Sequence, residues 1–207
     1  MGVFRVDGPI YRFLSRFVDV LVLNFWLLVC SIPIVTVGAS ITAAFSVTMK
    51  MVNEEEGYIT RSFFRSFKEN FKQGTYLGLI SLACMYVVYL DFQVFNAYED
   101  GPILLVMVGI LAGVVFFFTM LYTFPQAARY KNTIKQMMKN SQQITIRYFG
   151  KTLFLLGVLF VEIFLAFWST TTLFFAILIG PVIMIYTISG FCIKIFEEVE
   201  KNIGEED

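Results

Sequence analysis

In four places the sequence runs for about twenty residues with at most one charged side chain, the length an α-helix needs to cross a hydrocarbon core about 30 Å thick. These are Thr75–Phe95, Ile103–Phe124, Thr152–Trp168 and Leu173–Phe196. Such runs leave few folds open. In lipid every backbone N–H and C=O must be satisfied within the chain, and apolar segments of this length do so as helices. The expected class is therefore all-α, a polytopic transmembrane helical bundle, with residues 1–207 forming a single integral membrane domain. Composition agrees: 57% of residues are hydrophobic and 15% charged, against roughly 45–50% and about 25% in soluble domains.

The four runs pair into two hairpins. Asn96–Pro102, carrying Glu99, Asp100, Gly101 and Pro102, separates the first two, and Ser169-Thr170-Thr171-Thr172, whose hydroxyls suit helix capping, separates the last two. Ahead of them Phe13–Val52 is about twice the length of one span and is interrupted at Ser31-Ile32-Pro33. It reads as two crossings, or as one helix, Phe17–Val37, followed by a surface or re-entrant piece from Gly38 to Val52. Between the hairpins, Pro125–Lys151 holds Arg129, Lys131, Lys135, Lys139, Arg147 and Lys151 without an acid, which marks it as cytoplasmic. Lys50–Lys72, with Arg61, Arg65 and Lys68, must then share that side, and Arg5, Arg12 and Arg16 favour it for the N-terminus. Six crossings with both termini cytoplasmic follow, with five and an external N-terminus as the alternative. The multi-pass chain is expected in the bacterial plasma membrane.

Several function classes lose their usual equipment. No histidine is present, and Cys30, Cys84 and Cys192 each lie alone in an apolar run, so neither metal binding nor a catalytic triad is expected, no cofactor is called for and no disulfide is predicted. The 16 basic and 16 acidic residues cancel, giving no basic surplus for nucleic acid, and no nucleic-acid partner is expected. No phosphate-cradling glycine loop or nucleophile elbow appears, and the reading is that of a non-enzyme. Met1–Arg16 lacks the features of a cleaved signal peptide and is expected to be retained.

Two segments have helical amphipathicity. From Thr60 to Gln73, Phe63, Phe64, Phe67 and Phe71 fall on one face and Arg61, Arg65, Lys68 and Lys72 on the other, the pattern of a helix lying on the bilayer or docking on a partner's transmembrane domain. Gln126–Asn140 repeats it, with Ala127, Tyr130, Ile134, Met137 and Met138 spaced helically, the pliable thioethers suiting varied surfaces. Between helices, Asn53 followed by Glu54-Glu55-Glu56 and Gly57 reads as a solvated break. The small residues Gly38, Ala39, Ser40, Thr42, Ala43, Ala44 and Ser46 predict close helix packing, within the chain or against another subunit.

Polar groups at membrane depth are costly, so Asp19, Asn24, Asp91 and Glu162 stand out. Glu162 is the deepest: it reads as a hydrogen-bonded neutral acid, a cation ligand, a proton relay or the partner of a base on another helix. Asp19 sits one helical turn from Arg16, Asp91 falls near a helix end, and Asn24 suits an interhelical hydrogen bond.

At Asn24-Phe-Trp-Leu-Leu, Ser31-Ile-Pro-Ile-Val-Thr-Val-Gly-Ala-Ser, Asn53-Glu-Glu-Glu-Gly-Tyr and Arg61-Ser-Phe-Phe-Arg-Ser-Phe-Lys-Glu-Asn-Phe-Lys-Gln, the chain resembles the YesL-like family, bacterial membrane proteins built on a domain of unknown function. Phe124-Pro-Gln-Ala-Ala-Arg-Tyr and Met138-Lys-Asn-Ser extend the likeness over nearly the whole chain. The family occurs mainly in Gram-positive bacteria, its genes commonly beside carbohydrate importers of the ATP-binding-cassette type. The resemblance thus implies an accessory or regulatory subunit packing against importer permease subunits, with no catalytic residues. An autonomous small secondary transporter, using Glu162, Asp19 and Asp91 for ion coupling, is the alternative.

Overall fold

A computed structural model describes residues 9–55, 57–97 and 103–204. Eight α-helices follow one another: α1 Pro9–Ser31, α2 Val37–Val52, α3 Ile59–Glu69, α4 Phe71–Ala97, α5 Ile103–Arg129, α6 Ile134–Arg147, α7 Phe149–Phe167 and α8 Thr170–Gly204. Six of them, all but α3 and α6, contain segments long and apolar enough to span a membrane. The long N-terminal apolar region divides into α1 and α2 as the two-crossing reading requires. Pro33 cannot continue a helix, and a 3-10 turn at Ile34–Thr36 takes its place. There Thr36 Oγ1 donates to the Cys30 carbonyl at 2.6 Å, satisfying one of the acceptors the end of α1 leaves open.

α2 lies at the centre, packed by α1, α3, α4, α5 and α8. Its small side chains are the reason it can be enclosed on so many sides. An ideal Cβ on Gly38 would fall 2.1 Å from the Gly74 carbonyl oxygen and 2.6 Å from the Gly78 Cα, so α2 and α4 meet backbone to backbone. Gly74 and Gly78 are four residues apart, a small-x-x-x-small spacing that turns one bare face of α4 toward α2. The small-residue segment of α2 is thus spent on packing inside the chain.

A local pattern recurs. α3 folds back along α2, so that by Gly74 the chain again lies beside Gly38 and Ala39. α6 folds back along α5: Thr123 bonds Ser141 at 2.9 Å, and Thr145 Oγ1 reaches the Phe118 carbonyl at 3.5 Å. A single non-helical residue then separates each short helix from the next long one, Asn70 in the first case and Tyr148 in the second. Hydrogen bonding passes through both breaks, with Gly74 N–H on the Asn70 carbonyl and Thr152 N–H on that of Tyr148. Both are therefore kinks in a continuing chain. The α3–α4 junction meets the α5–α6 turn where Gln73 Nε2 donates to the Asn132 carbonyl at 2.6 Å.

These elements correct two sequence boundaries. The amphipathic stretch Thr60–Gln73 is not one helix, because Asn70 ends α3 and Phe71, Lys72 and Gln73 belong to α4. The stretch Gln126–Asn140 is likewise two pieces, with Gln126 to Arg129 finishing α5 and α6 beginning at Ile134, where Thr133 accepts the Gln136 N–H as N-cap. The break after α2 is sharper than its acidic composition suggested. Glu54 has φ 57°, and Glu55 N–H bonds the Lys50 carbonyl while Glu54 N–H bonds that of Met51, a Schellman close with glutamate where glycine is usual. Glu56 and the turn residues Glu99, Asp100, Gly101 and Pro102 lie outside the described residues, as does Arg5. At the other hairpin α8 starts at Thr170, where Ser169 N–H donates to Thr172 Oγ1 and Ser169 Oγ accepts from Thr171 N–H.

Candidate functional site

The aromatic face of α3 packs inward, with Phe63 at its buried centre. Phe63 is fully buried in a cluster with Leu23, Leu27, Ala43, Val47, Met51 and Val182, which corrects its assignment as a lipid or partner contact. Phe64 and Phe67 are half-buried against the same cluster, and Phe71 is exposed. Trp26 packs edge-on against Phe64 at 4.7 Å and donates its indole N–H to Thr60 Oγ1 at 3.0 Å, tying α1 to α3. On the opposite face Arg61, Arg65 and Lys68 are exposed, as is Lys72 at the start of α4. Arg65 bonds Glu69 at 3.0 Å along the helix, and this hydrogen bond lowers the Glu69 carboxyl below its ordinary pKa. Met137 is also a correction, being fully buried with Leu77 and Ala127, whereas Met138 is half-buried.

The intramembrane polar residues sit apart from one another. Asn24 on α1 is 2% exposed, and its Nδ2 donates to the carbonyls of Leu178 (2.7 Å) and Ile177 (3.3 Å) on α8. The cause lies at Pro181, which has no N–H to offer the carbonyl four residues earlier, that of Ile177. Asn24 supplies the missing donor. Glu162 Oε1 accepts from Thr187 Oγ1 at 2.6 Å, while its Oε2 is buried without a partner among the described residues. Asp91 lies against α5 where Gly109 leaves room: a Cβ there would be 2.3 Å from Asp91 Oδ2. Asp19 is half-buried on α1. Among the described residues no group of three or more Cys, Asp or Glu side chains converges to hold a metal.

Two concavities are more informative. A cleft of about 370 Å³ opens between the ends of α5 and α8 and the length of α6, lined by Gln126, Tyr130, Asn140, Gln143, Arg147, Tyr148 and Glu200 among others. Its acid is already engaged. Arg129 reaches both Glu200 oxygens at 3.0 and 3.1 Å, and the Tyr130 hydroxyl donates to the same carboxylate; burial first, and then this hydrogen bond, raise the Tyr130 phenol above its ordinary pKa. Beside it Lys151 pairs with Glu198. Beneath runs a buried chain in which Gln126 Nε2 donates to Ser141, Ser141 bonds Thr123, and Thr123 donates to the Thr119 carbonyl. Sequence reasoning missed this cleft because its residues come from three elements and share no spacing. A partial signal was present in Gln126, an amide one residue after Pro125 at the end of an apolar run.

The second concavity is apolar, a lateral groove of about 800 Å³ formed by Cys84, Met85, Val88, Gly113, Val114 and Phe117, with Leu156 from α7 at its border. The two helices forming it keep large apolar side chains exposed along most of their length, including Tyr86, Val87, Leu104, Met107 and Leu111.

Six long apolar helices, small-residue α2 at their centre, with charge gathered on α3, α6 and the end of α8, define a multi-pass helical membrane protein. Residues 20–92 match the model of a family described as "Protein of unknown function, DUF624". YesL-like proteins belong to that family, so the match agrees with the resemblance drawn from the motifs. Neither the curated proteins nor the solved structures gave a match to this chain.

Proposed function

We propose that this protein is a non-catalytic accessory subunit of the bacterial plasma membrane that packs against the permease subunits of a carbohydrate importer of the ATP-binding-cassette type. The family resemblance supplies the importer, and the lateral groove between α4 and α5 is the observation that carries the mode of contact. Lipid-facing helices associate through close packing of side chains, and an apolar groove about 800 Å³ in volume suits the side chains of a partner helix. This moves the proposed contact away from the centres of α3 and α6, where Phe63 and Met137 are buried within the chain. The acid-free segment from Pro125 to Lys151 supports an inward-facing α6 and cytoplasmic termini.

Affinity purification of tagged protein in mild detergent tests the association, with co-recovery of permease subunits expected. Val114 is exposed in the groove, and Val114→Trp should release the permease while the protein remains inserted. Recovery of the protein alone from cells that express the importer well would refute the association. Unchanged recovery with Val114→Trp would move the contact to another face. A cysteine at position 139 should resist an impermeant thiol reagent in intact cells.

A further inference from the structure

We infer that the cleft between α5, α6 and α8 binds a phosphate ester that carries free hydroxyl groups. Thr123 gives its hydroxyl hydrogen to the Thr119 carbonyl at 2.7 Å, so toward Ser141, 2.9 Å away, it can only accept. Ser141 therefore donates to Thr123, and toward Gln126 it in turn accepts, at 2.8 Å from Nε2. That sequence fixes the Gln126 amide, which is 2% exposed. Its nitrogen faces Ser141, and its carbonyl oxygen, which has no hydrogen-bond partner among the described residues, is left for the cleft that Gln126 lines. That oxygen is open to the cleft, where a ligand hydroxyl can donate to it.

The charge of the cleft points to the rest of that ligand. Glu200 is neutralised by Arg129 and bonded by Tyr130, whereas Arg147, on the same wall as Gln143 and Asn140, is exposed and has no ion pair among the described residues. One uncompensated guanidinium with neutral amide donors around it matches a phosphate, which Arg binds through paired N–H groups. Phosphate for Arg147 and a hydroxyl for Gln126 make one molecule of modest size, consistent with a volume of about 370 Å³. A glycerol-type phospholipid headgroup and a soluble polyol phosphate share this chemistry. The inference does not depend on importer association.

Titration of the purified full-length protein in phosphate-free detergent buffer tests it, with short-chain phosphatidylglycerol and glycerol 3-phosphate as probes. Phosphatidylpropanol and propyl phosphate, alike in charge but lacking hydroxyls, are the comparisons. At least one hydroxylated probe should bind about fivefold more tightly than its propyl counterpart, the worth of one neutral hydrogen bond. Arg147→Gln should weaken it about tenfold, Arg147→Lys should restore part of the loss, and Lys139→Gln, an exposed base of α6 that does not line the cleft, should leave it unchanged. Binding of the lipid alone identifies a headgroup site and binding of glycerol 3-phosphate alone a soluble ligand, both in support. Binding of neither, equal affinity for hydroxylated and propyl forms, or equal losses in Arg147→Gln and Lys139→Gln would overturn the inference.

Discussion

Substituting Gly38 by alanine is the smallest change that tests how the bundle is held together. The added methyl would sit 2.1 Å from the Gly74 carbonyl oxygen and 2.6 Å from both the Cα and the N of Gly78. All three are backbone atoms, so no rotamer change relieves the contact. Ordinary carbon contacts begin near 3.5 Å, and α2 and α4 would have to part by more than about 1 Å. Because α2 also touches α1, α3, α5 and α8, that movement cannot stay local. Overpacking costs typically about 1–3 kcal/mol, and with no flexible side chain to yield, Gly38→Ala should fall at or above the top of that range. Gly157 provides the control, since a Cβ there meets nothing within 4 Å, and Gly157→Ala should be neutral or stabilising by up to about 1 kcal/mol. Thermal unfolding in detergent, followed by loss of the monodisperse peak on size exclusion, measures both. Equal stability of the two variants would refute the close crossing.

Asn24→Leu should cost about 1–3 kcal/mol by stranding the Ile177 carbonyl of α8, and less when Pro181→Ala restores the missing N–H; equal costs in the two backgrounds, measured as a double-mutant cycle, would dissociate Asn24 from the proline. Glu54→Gly should stabilise by about 1 kcal/mol, because glycine adopts the left-handed conformation at φ 57° without strain; a lower melting temperature would contradict this. Phe63→Ala should destabilise by about 3–5 kcal/mol as a core truncation, whereas Phe71→Ala, at a 40% exposed position, should cost less than about 1 kcal/mol, both read by the same thermal assay.

Hydrophobic length made the helices legible, and proline and the polar turns located their ends, because both act locally along the chain. The failures arose where a residue's partner is distant in sequence. Phe63 and Arg61 lie on opposite faces of α3 as periodicity predicts, yet periodicity cannot distinguish an apolar face turned to lipid from one turned to α2. The Gly74 and Gly78 spacing is as local a signal as the longer small-residue run on α2, and the crossing needs both. Asn24 was anticipated as an interhelical donor, but its acceptors, one of them freed by a proline more than 150 positions later, belong to tertiary structure. The phosphate-ester cleft lay furthest from view, since the orientation of one buried amide depends on hydroxyls from two helices.

The centrality of α2 also bears on how the chain reaches its fold. α2 has the lowest mean hydropathy of the six spans, 1.4, and the largest buried share, 61%. Of the neighbours that cover it, only α1 precedes it during synthesis; α3, α4, α5 and α8 emerge later. A nascent α2 therefore meets lipid or translocon with its hydroxyls and bare glycine face uncovered, and its lasting position depends on helices not yet made. Biogenesis of this protein should be correspondingly late and cooperative, with α2 committed only once α4 has arrived to close on Gly38, and with chains truncated before α4 handed to quality control rather than stored as stable intermediates.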